Sequence, residues 1–190
     1  MDTQLSIFAR PTLAKAAPPK VAAAKPKTKA PTPTDTPHFT IFVDGASRGN
    51  PGPAGAGIFI SFDKEPILKK GIYLGEKTNN QAEYLALTLA LFYLKNICAE
   101  KEVAHPHVAI VSDSELLIKQ MKGEYALKNK TLAQLKTVAT ELLKGCSYHC
   151  THVMREHNKE ADKLANLGID KKHKIPTDFF KILSDYGLSI

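Results

Sequence analysis

The order of apolar segments over residues 38–169 restricts the fold more than any other feature of this sequence. Three strand-like segments come first, a long segment with helical spacing follows, and strands and helices then alternate. The predicted strands are 38–45, 57–62, 66–74, 107–113 and 147–154, and the predicted helices are 79–97, 112–121, 131–144 and 158–167. Glycine and proline interrupt residues 49–57, which predicts turns there. The order predicts an α/β fold with a mixed sheet covered by helices.

The first 37 residues differ in composition from the rest. They hold seven of the chain's 12 prolines, with six basic and two acidic side chains. Such a segment has too little apolar surface to offset the entropy of folding, so residues 1–37 are predicted to be a disordered basic tail. A folded domain over 38–170 and a C-terminal extension over 171–190 with a short helix would follow. The tail is interpreted as a linker, as an arm for phosphate backbones or as an organellar targeting peptide.

The composition of the chain limits its expected cellular location and its expected binding partners. No apolar run reaches the roughly 18 residues that span a bilayer, so no membrane partner is expected. Three cysteines are too few for a disulfide framework, which favours a reducing, cytoplasmic location. The net charge of +7 suggests an anionic partner.

Four carboxylates lie at the ends of predicted elements: Asp44, Glu83, Asp113 and Asp162. Each has a structural alternative. Asn80 with Glu83, and Ser112 with Glu115, fit capping boxes. The four carboxylates can, however, meet at one edge of the sheet. Carboxylates gathered there repel one another unless divalent cations lie between them. Two Mg²⁺ ions about 4 Å apart can promote in-line displacement at a phosphorus atom.

Four motifs carry a resemblance to a known family. DGASRGNPGPAGAG at 44–57 resembles the opening motif of type 1 ribonucleases H, and TNNQAEYLAL at 78–87, SDSELLIKQM at 112–121 and REHNKEADKLAN at 155–166 resemble the next three in order. The resemblance implies a ribonuclease H-like fold, with a five-stranded mixed sheet flanked by helices. It also implies magnesium-dependent endonucleolytic cleavage of the RNA strand of RNA–DNA hybrids, leaving 5′-phosphate and 3′-hydroxyl ends.

The same resemblance implies catalytic and metal-binding roles for the four carboxylates. By motif position, Asp44 bridges two Mg²⁺ ions, and Asp162 completes the site of the ion that activates the attacking water. Glu83 and Asp113 hold the ion that stabilises the leaving 3′ oxygen. Mn²⁺ is expected to substitute for Mg²⁺.

Substrate contacts are implied for six residues: Gly49, Asn50, Thr78, Asn79, Asn80 and Gln81. Glycine lets backbone approach the nucleic acid closely. The amides at 79–81 suit 2′-hydroxyls and base edges in a shallow minor groove. Thr78 and Asn50 resemble the family's pocket for a phosphate of the DNA strand. Helix capping is the alternative role for Asn79 and Asn80.

The sequence departs from many bacterial relatives in two places. It lacks the basic, tryptophan-rich handle between the third and fourth motifs, so the N-terminal arm becomes a candidate for gripping substrate. It also lacks the glycine-rich histidine loop, and His157 precedes Asp162 in a compact segment. His157, Glu156 and Arg155 are alternative auxiliary groups, with a solvated loop capped by Asn158 as the structural alternative for His157. Compact relatives suggest double-stranded RNA as a second substrate.

The function expected is therefore hydrolysis of RNA–DNA hybrids by a monomer. A junction resolvase or integrase-type nuclease is a second interpretation, which the TNNQ segment disfavours. A nucleic-acid-binding module without catalysis is a third, which the presence of all four carboxylates disfavours.

Overall fold

The computed structural model describes residues 38–189, and the prediction of a basic tail over residues 1–37 lies outside them. Five strands and five helices form the described part. The strands are β1 (His38–Ser47), β2 (Gly52–Phe62), β3 (Glu65–Lys77), β4 (His107–Ser112) and β5 (Ser147–His152). The helices are α1 (Asn79–Glu100), α2 (Glu115–Met121), α3 (Lys130–Leu142), α4 (Lys159–Lys171) and α5 (Thr177–Asp185).

All five strands belong to one sheet, in the order β3-β2-β1-β4-β5. The first three strands pair antiparallel, while β1 with β4 and β4 with β5 pair parallel. The predicted five-stranded mixed sheet is therefore confirmed. Because β1 and β4 are parallel neighbours, the residues that follow them emerge at the same edge of the sheet.

Helix α1 forms the centre of the core. Its apolar side chains extend around most of its surface, and it contacts β1, β2 and α3. By length and composition alone it could cross a membrane, but 67% of its most apolar window is buried inside the protein. It is therefore the core helix of a folded domain, which explains why a single helix here is apolar almost all round.

The predicted turns at 49–57 are only partly correct, because β2 already begins at Gly52. Gly55 and Gly57 of this strand face α4. A Cβ on Gly57 would overlap the carbonyl oxygen of Ala161, and one on Gly55 would overlap that of Ala165. These glycines therefore mark a close approach of helix backbone to the sheet and not a break in the strand.

The segment after α4 crosses the outer edge of β3. The amide nitrogen of Tyr73 donates to the carbonyl oxygen of His173 at 2.8 Å, and His173 Nδ1 lies 3.1 Å from the carbonyl oxygen of Gly71. Helix α5 then packs on α1, where the rings of Phe179 and Phe92 lie 5.6 Å apart between centroids. The extension thus covers an edge strand that would otherwise present unpaired backbone groups.

Candidate active site

Four carboxylates, Asp44, Glu83, Asp113 and Asp162, line one pocket of about 360 Å³. Asp44 lies near the end of β1 and is only 6% exposed, and Asp113 directly follows β4. The parallel pairing of these two strands brings both aspartates to the same edge. Glu83 of α1 and Asp162 of α4 approach from the two faces of the sheet. All four candidate residues of the sequence are therefore close together in the fold.

Glu83 does not cap α1. The N-cap is Thr78, whose Oγ1 accepts from the amide of Gln81 at 3.3 Å, while Gln81 Oε1 accepts from the amide of Thr78 at 2.9 Å. The predicted capping box of Asn80 and Glu83 is wrong, because the helix begins two residues before it requires. The Glu83 carboxylate is consequently available to the pocket.

The second predicted capping box is also wrong. The N-cap of α2 is Ser114, which accepts from the amide of Leu117, and Ser112 is a buried residue of β4. Glu115 instead pairs with Lys119, one turn along the helix, at 2.6 Å. Asp113 therefore lies just before the cap of α2, in the short connection out of β4.

Asn158 holds Asp113 in place. Its Nδ2 donates to Asp113 Oδ1 at 2.6 Å and to the carbonyl oxygen of Val43 at 2.9 Å. The residue is 1% exposed and lies at the N-cap position of α4, as predicted, but its side chain makes no cap hydrogen bond to the helix. Sequence reasoning missed this contact because it joins residues 45 positions apart, and no local spacing indicates it.

Arg155 and Arg48 both line this pocket, and Arg155 is the one that pairs with a carboxylate of it. Its Nη2 lies 2.5 Å from Asp162 Oδ1, while 76% of the arginine side chain is exposed. The pKa values of Asp44 and Glu83 are raised, first of all by burial, and the charge of Arg155 offsets part of that rise. Among the three auxiliary candidates, Arg155 is thus the one that contacts a carboxylate of the site.

The pocket disfavours negative charge on its deepest carboxyls. Burial, with repulsion from Asp113 and Asp162, raises the pKa of Asp44 to about 7. Burial, with repulsion from Asp44 and Asp113, raises the pKa of Glu83 well above its usual value. Glu83 Oε2 is buried and has no hydrogen-bond partner. An orphaned carboxylate oxygen among other carboxylates is what a divalent cation would satisfy.

The side chains are not arranged as a finished metal cage. Among residues 38–189, no three His, Cys, Asp or Glu side chains form a group ready to hold an ion. Protein donors engage two of the carboxylates, since Arg155 contacts Asp162 and Asn158 contacts Asp113. A cation would have to compete with Arg155 for Asp162, whereas Asn158 leaves the second oxygen of Asp113 available.

The candidate substrate residues lie beside this pocket. Asn79 lines it, and the amide nitrogen of Asn79 donates to Asn50 Oδ1 at 3.1 Å. Gly49 has a φ of 123°, a conformation that favours glycine. Asn80 is exposed at the start of α1, and with Thr78 and Gln81 capping the helix, the alternative capping role for Asn79 and Asn80 is wrong.

His157 does not line the acidic pocket. It is exposed and borders a separate hollow of about 120 Å³ with Phe42, Phe59 and Glu160. It belongs to the single 3-10 turn Arg155–His157 that leads into α4. This turn directs Arg155 to the pocket and His157 away from it.

The fold and the pocket define an α/β protein of the ribonuclease H-like class, with a cluster of carboxylates at the edge where parallel strands end. The family model for RNase H matches residues 36–170, and the chain belongs to the RNase H family. Residues 171–190 lie beyond that match.

Relatives support this membership. Ribonuclease HI of Halobacterium salinarum is 39% identical over 131 residues, which are 68% of this chain and 63% of the relative. The chain thus spans less than two thirds of the length of the first curated relatives that it matches. The crystal structure of the H. salinarum RNase H1 covers 70% of this chain and 98% of that one, with 38% identity and a TM-score of 0.63. LC11-RNase H1, solved in complex with an RNA/DNA hybrid, covers 70% and 97%, with 36% identity and a TM-score of 0.66.

Proposed function

We propose that this protein is an endonuclease that hydrolyses the RNA strand of RNA–DNA hybrids. The observation that carries the proposal is the pocket of four carboxylates, in which burial and mutual repulsion raise the pKa values of Asp44 and Glu83. A similar protein, LC11-RNase H1, binds an RNA/DNA hybrid. A site of this kind needs no nucleophilic side chain, because water attacks the phosphorus atom.

Two Mg²⁺ ions fit the donor set. All four carboxylates offer hard oxygen ligands, and the unpartnered Glu83 Oε2 gives a cation an immediate partner. Asp44, which interacts electrostatically with the other three carboxylates, would hold both ions, Asp162 would complete the site of one ion, and Glu83 and Asp113 would hold the other. When bound, magnesium supplies an activated water and stabilises charge on the leaving oxygen. Mn²⁺ has the same ligand preference and is proposed as a substitute.

The protein's own groups prepare this site. Asn158 fixes one oxygen of Asp113 and so directs the other into the pocket. While no cation is bound, Arg155 partly offsets the burial and repulsion that raise the pKa values of Asp44 and Glu83, and a cation would take over this role by displacing Arg155 from Asp162. Hydrolysis breaks the bond between phosphorus and the 3′ oxygen of RNA. The expected products therefore carry 5′-phosphate and 3′-hydroxyl ends.

Recognition of RNA is assigned to the amides beside the pocket. Asn79 and Asn80 are exposed at the start of α1 and can reach 2′-hydroxyls in a shallow minor groove. The Oε1 of Gln81 is occupied by the helix cap, so its NH₂ group is the part proposed to contact substrate. Gly49 brings backbone close to the strand, and Thr78 with Asn50 is proposed to hold a phosphate of the DNA strand.

Three further properties belong to the same proposal. Double-stranded RNA also presents 2′-hydroxyls in its minor groove, which makes it a second substrate. The protein is proposed to act as a monomer and in the cytoplasm. For the step near Asp162, Arg155 is the favoured auxiliary group over His157, because only Arg155 contacts a carboxylate of the pocket.

The test is cleavage of a labelled RNA strand in an RNA–DNA hybrid, in double-stranded RNA and as a single strand. Each is incubated with Mg²⁺, with Mn²⁺ and with chelator. Internal cuts in the hybrid that need the metal and disappear in Asp44→Asn are expected. Hybrid binding without cleavage under any metal would overturn the proposal in favour of a binding module. Cleavage of single-stranded RNA at the same rate would contradict the role of duplex recognition.

A further inference from the structure

A second groove, of about 410 Å³, lies where the C-terminal extension crosses the end of β3. Its walls are the residues around Tyr73 and Lys77 on the strand, and the stretch from Lys172 to Phe180 on the extension. The extension is held there by the backbone hydrogen bond between Tyr73 and His173. The RNase H match ends at residue 170, so one wall of this groove belongs to a part of the chain beyond the family's common domain.

The groove is basic. Lys77, Lys172 and Lys174 line it, and no acidic side chain does. Over residues 38–189, none of these three lysines forms an ion pair with a carboxylate. Lys77 Nζ donates only to the carbonyl oxygen of Glu76, at 3.0 Å. Three ammonium groups around one hollow repel one another and favour an anion between them.

Aromatic rings lie among these lysines. Lys172 Nζ lies 5.8 Å from the centre of the Tyr73 ring, and Phe180 is 41% exposed although it follows the fully buried Phe179. Basic side chains interleaved with exposed rings are typical of surfaces that bind nucleic-acid backbones and stack on bases or sugars. An apolar peptide would leave the three ammonium groups without a partner.

The groove adjoins the acidic pocket on two sides. Lys77 precedes the N-cap Thr78, and Asn79 already lines the acidic pocket. On the other side, Arg48 of the pocket rim pairs with Asp170 at 2.7 Å, two residues before Lys172. Residues of the acidic pocket and lysines of the groove are therefore near neighbours along the chain at both places.

We propose that this groove binds the sugar–phosphate backbone of the hybrid beyond the cleavage point, and thus extends the substrate site onto the C-terminal extension. The inference rests on the proposed function of the acidic pocket. The sequence lacks a basic handle between the third and fourth motifs. The groove would supply basic contacts to the substrate in place of that handle. Lys172 and Lys174 would contact phosphates, and Tyr73 and Phe180 would pack against sugars or bases.

The experiment measures binding of the full chain to RNA–DNA hybrids of increasing length, in chelator, at several salt concentrations. The test variant is Lys172→Gln with Lys174→Gln. The matched control is Lys64→Gln with Lys101→Gln, which removes the same charge from exposed positions. Lys64 lies in the turn before β3 and Lys101 at the far end of α1, which is roughly 33 Å from its start at 1.5 Å per residue. Circular dichroism checks that all variants are folded.

Loss of two phosphate contacts predicts that the slope of log affinity against log salt falls by about 2 in the test variant. The loss of affinity should be greater for long hybrids than for short ones, and the control should keep the wild-type slope. Equal slopes in the two variants, or a loss that does not depend on hybrid length, would overturn the groove. Metal-dependent cleavage by the wild-type chain is measured in parallel. If the wild-type chain cleaves the hybrid but the test variant keeps the wild-type salt slope, only the proposal for the groove is refuted. If the wild-type chain does not cleave but the test variant shows the length-dependent loss of binding, only the proposed nuclease activity is refuted.

Discussion

Asn158 and Asp113 are joined by a hydrogen bond of 2.6 Å from the amide Nδ2 to the carboxylate Oδ1, although 45 residues separate them in the chain. The same amide group binds the carbonyl oxygen of Val43, one residue before Asp44. One side chain from the turn before α4 therefore links β1 and β4 at the point where both supply a carboxylate. It reinforces the relative position that the parallel pairing of β1 and β4 gives to Asp44 and Asp113.

Replacing Asn158 with alanine should lower both stability and metal affinity. The carbonyl oxygen of Val43 and one oxygen of Asp113 would lose their donor, which costs about 1–3 kcal/mol of unfolding free energy. Mutation of a group that orients a metal ligand typically lowers metal affinity or activity about 10- to 100-fold. Denaturant unfolding and the Mg²⁺ concentration for half-maximal cleavage are the measurements. Asn96→Ala, at an exposed position of α1, is the control. A matching Mg²⁺ requirement in both variants would contradict the positioning role.

Asp44→Asn should make the metal-free protein more stable at neutral pH while abolishing cleavage. The pKa of Asp44 is raised from 3.8 to about 7, so between these pH values the folded state binds more protons than the unfolded state. Stability contributed by this group is present at low pH and is lost as pH rises to about 7. Asparagine removes that loss, which is on the order of 4 kcal/mol above pH 7. Thermal unfolding in chelator at pH 5 and pH 8 measures it, and a difference that does not grow with pH would refute it.

Arg155→Gln should raise the pKa values of Asp44 and Glu83 and strengthen the binding of a cation. The guanidinium lowers both pKa values, and it contacts the Asp162 oxygen that an ion would need. Carboxyl NMR titration in chelator reports the pKa of Asp44, which should move above about 7. Mg²⁺ titration followed by the melting temperature reports affinity. Arg48→Gln removes the same charge from a residue that pairs with Asp170 and should give smaller changes. Weaker Mg²⁺ binding in Arg155→Gln would contradict the competition.

Phe179→Ala should destabilise the protein far more than Phe180→Ala. Phe179 is fully buried against Phe92, whereas Phe180 is 41% exposed. Deleting a buried phenylalanine costs about 3–5 kcal/mol, and an exposed one well under half of that. Urea unfolding of the two variants compares the values directly. Similar losses would mean that α5 does not belong to the core.

The strand and helix order was predictable because apolar spacing is a local property, and each element carries its own period. The meeting of Asp44 and Asp113 was predictable as well, since neighbouring parallel strands end at one edge. The start of α1 at Asn79 agrees with the predicted helix 79–97, but the N-cap of α1 and the start of α2 were not predictable. Several polar residues stand near each start, and only the fold decides that Thr78 and Ser114 are the caps.

The long-range contacts escaped the sequence for a different reason. Asn158 occupies the N-cap position that its Asn-Lys-Glu segment predicts, but its side chain bonds Val43 and Asp113, which are far away in the chain. The glycines of β2 look like turns, because a chain read alone does not reveal the helix that needs their missing side chains. Arg155 and His157 are equivalent candidates until the turn before α4 directs them to different sides.

The close contact between α4 and the glycines of β2 has a mechanical consequence for Asp162. The backbone of α4 packs directly against the backbone of β2 at Gly55 and Gly57, so no glycine side chain can change rotamer at this contact. The helix that carries Asp162 is therefore fixed to the sheet through backbone packing, whereas Asp113 is held by the buried side-chain amide of Asn158. A cation entering the pocket would meet one ligand supported by main chain and another supported by a single side-chain hydrogen bond, so a point mutation can remove the second support but not the first.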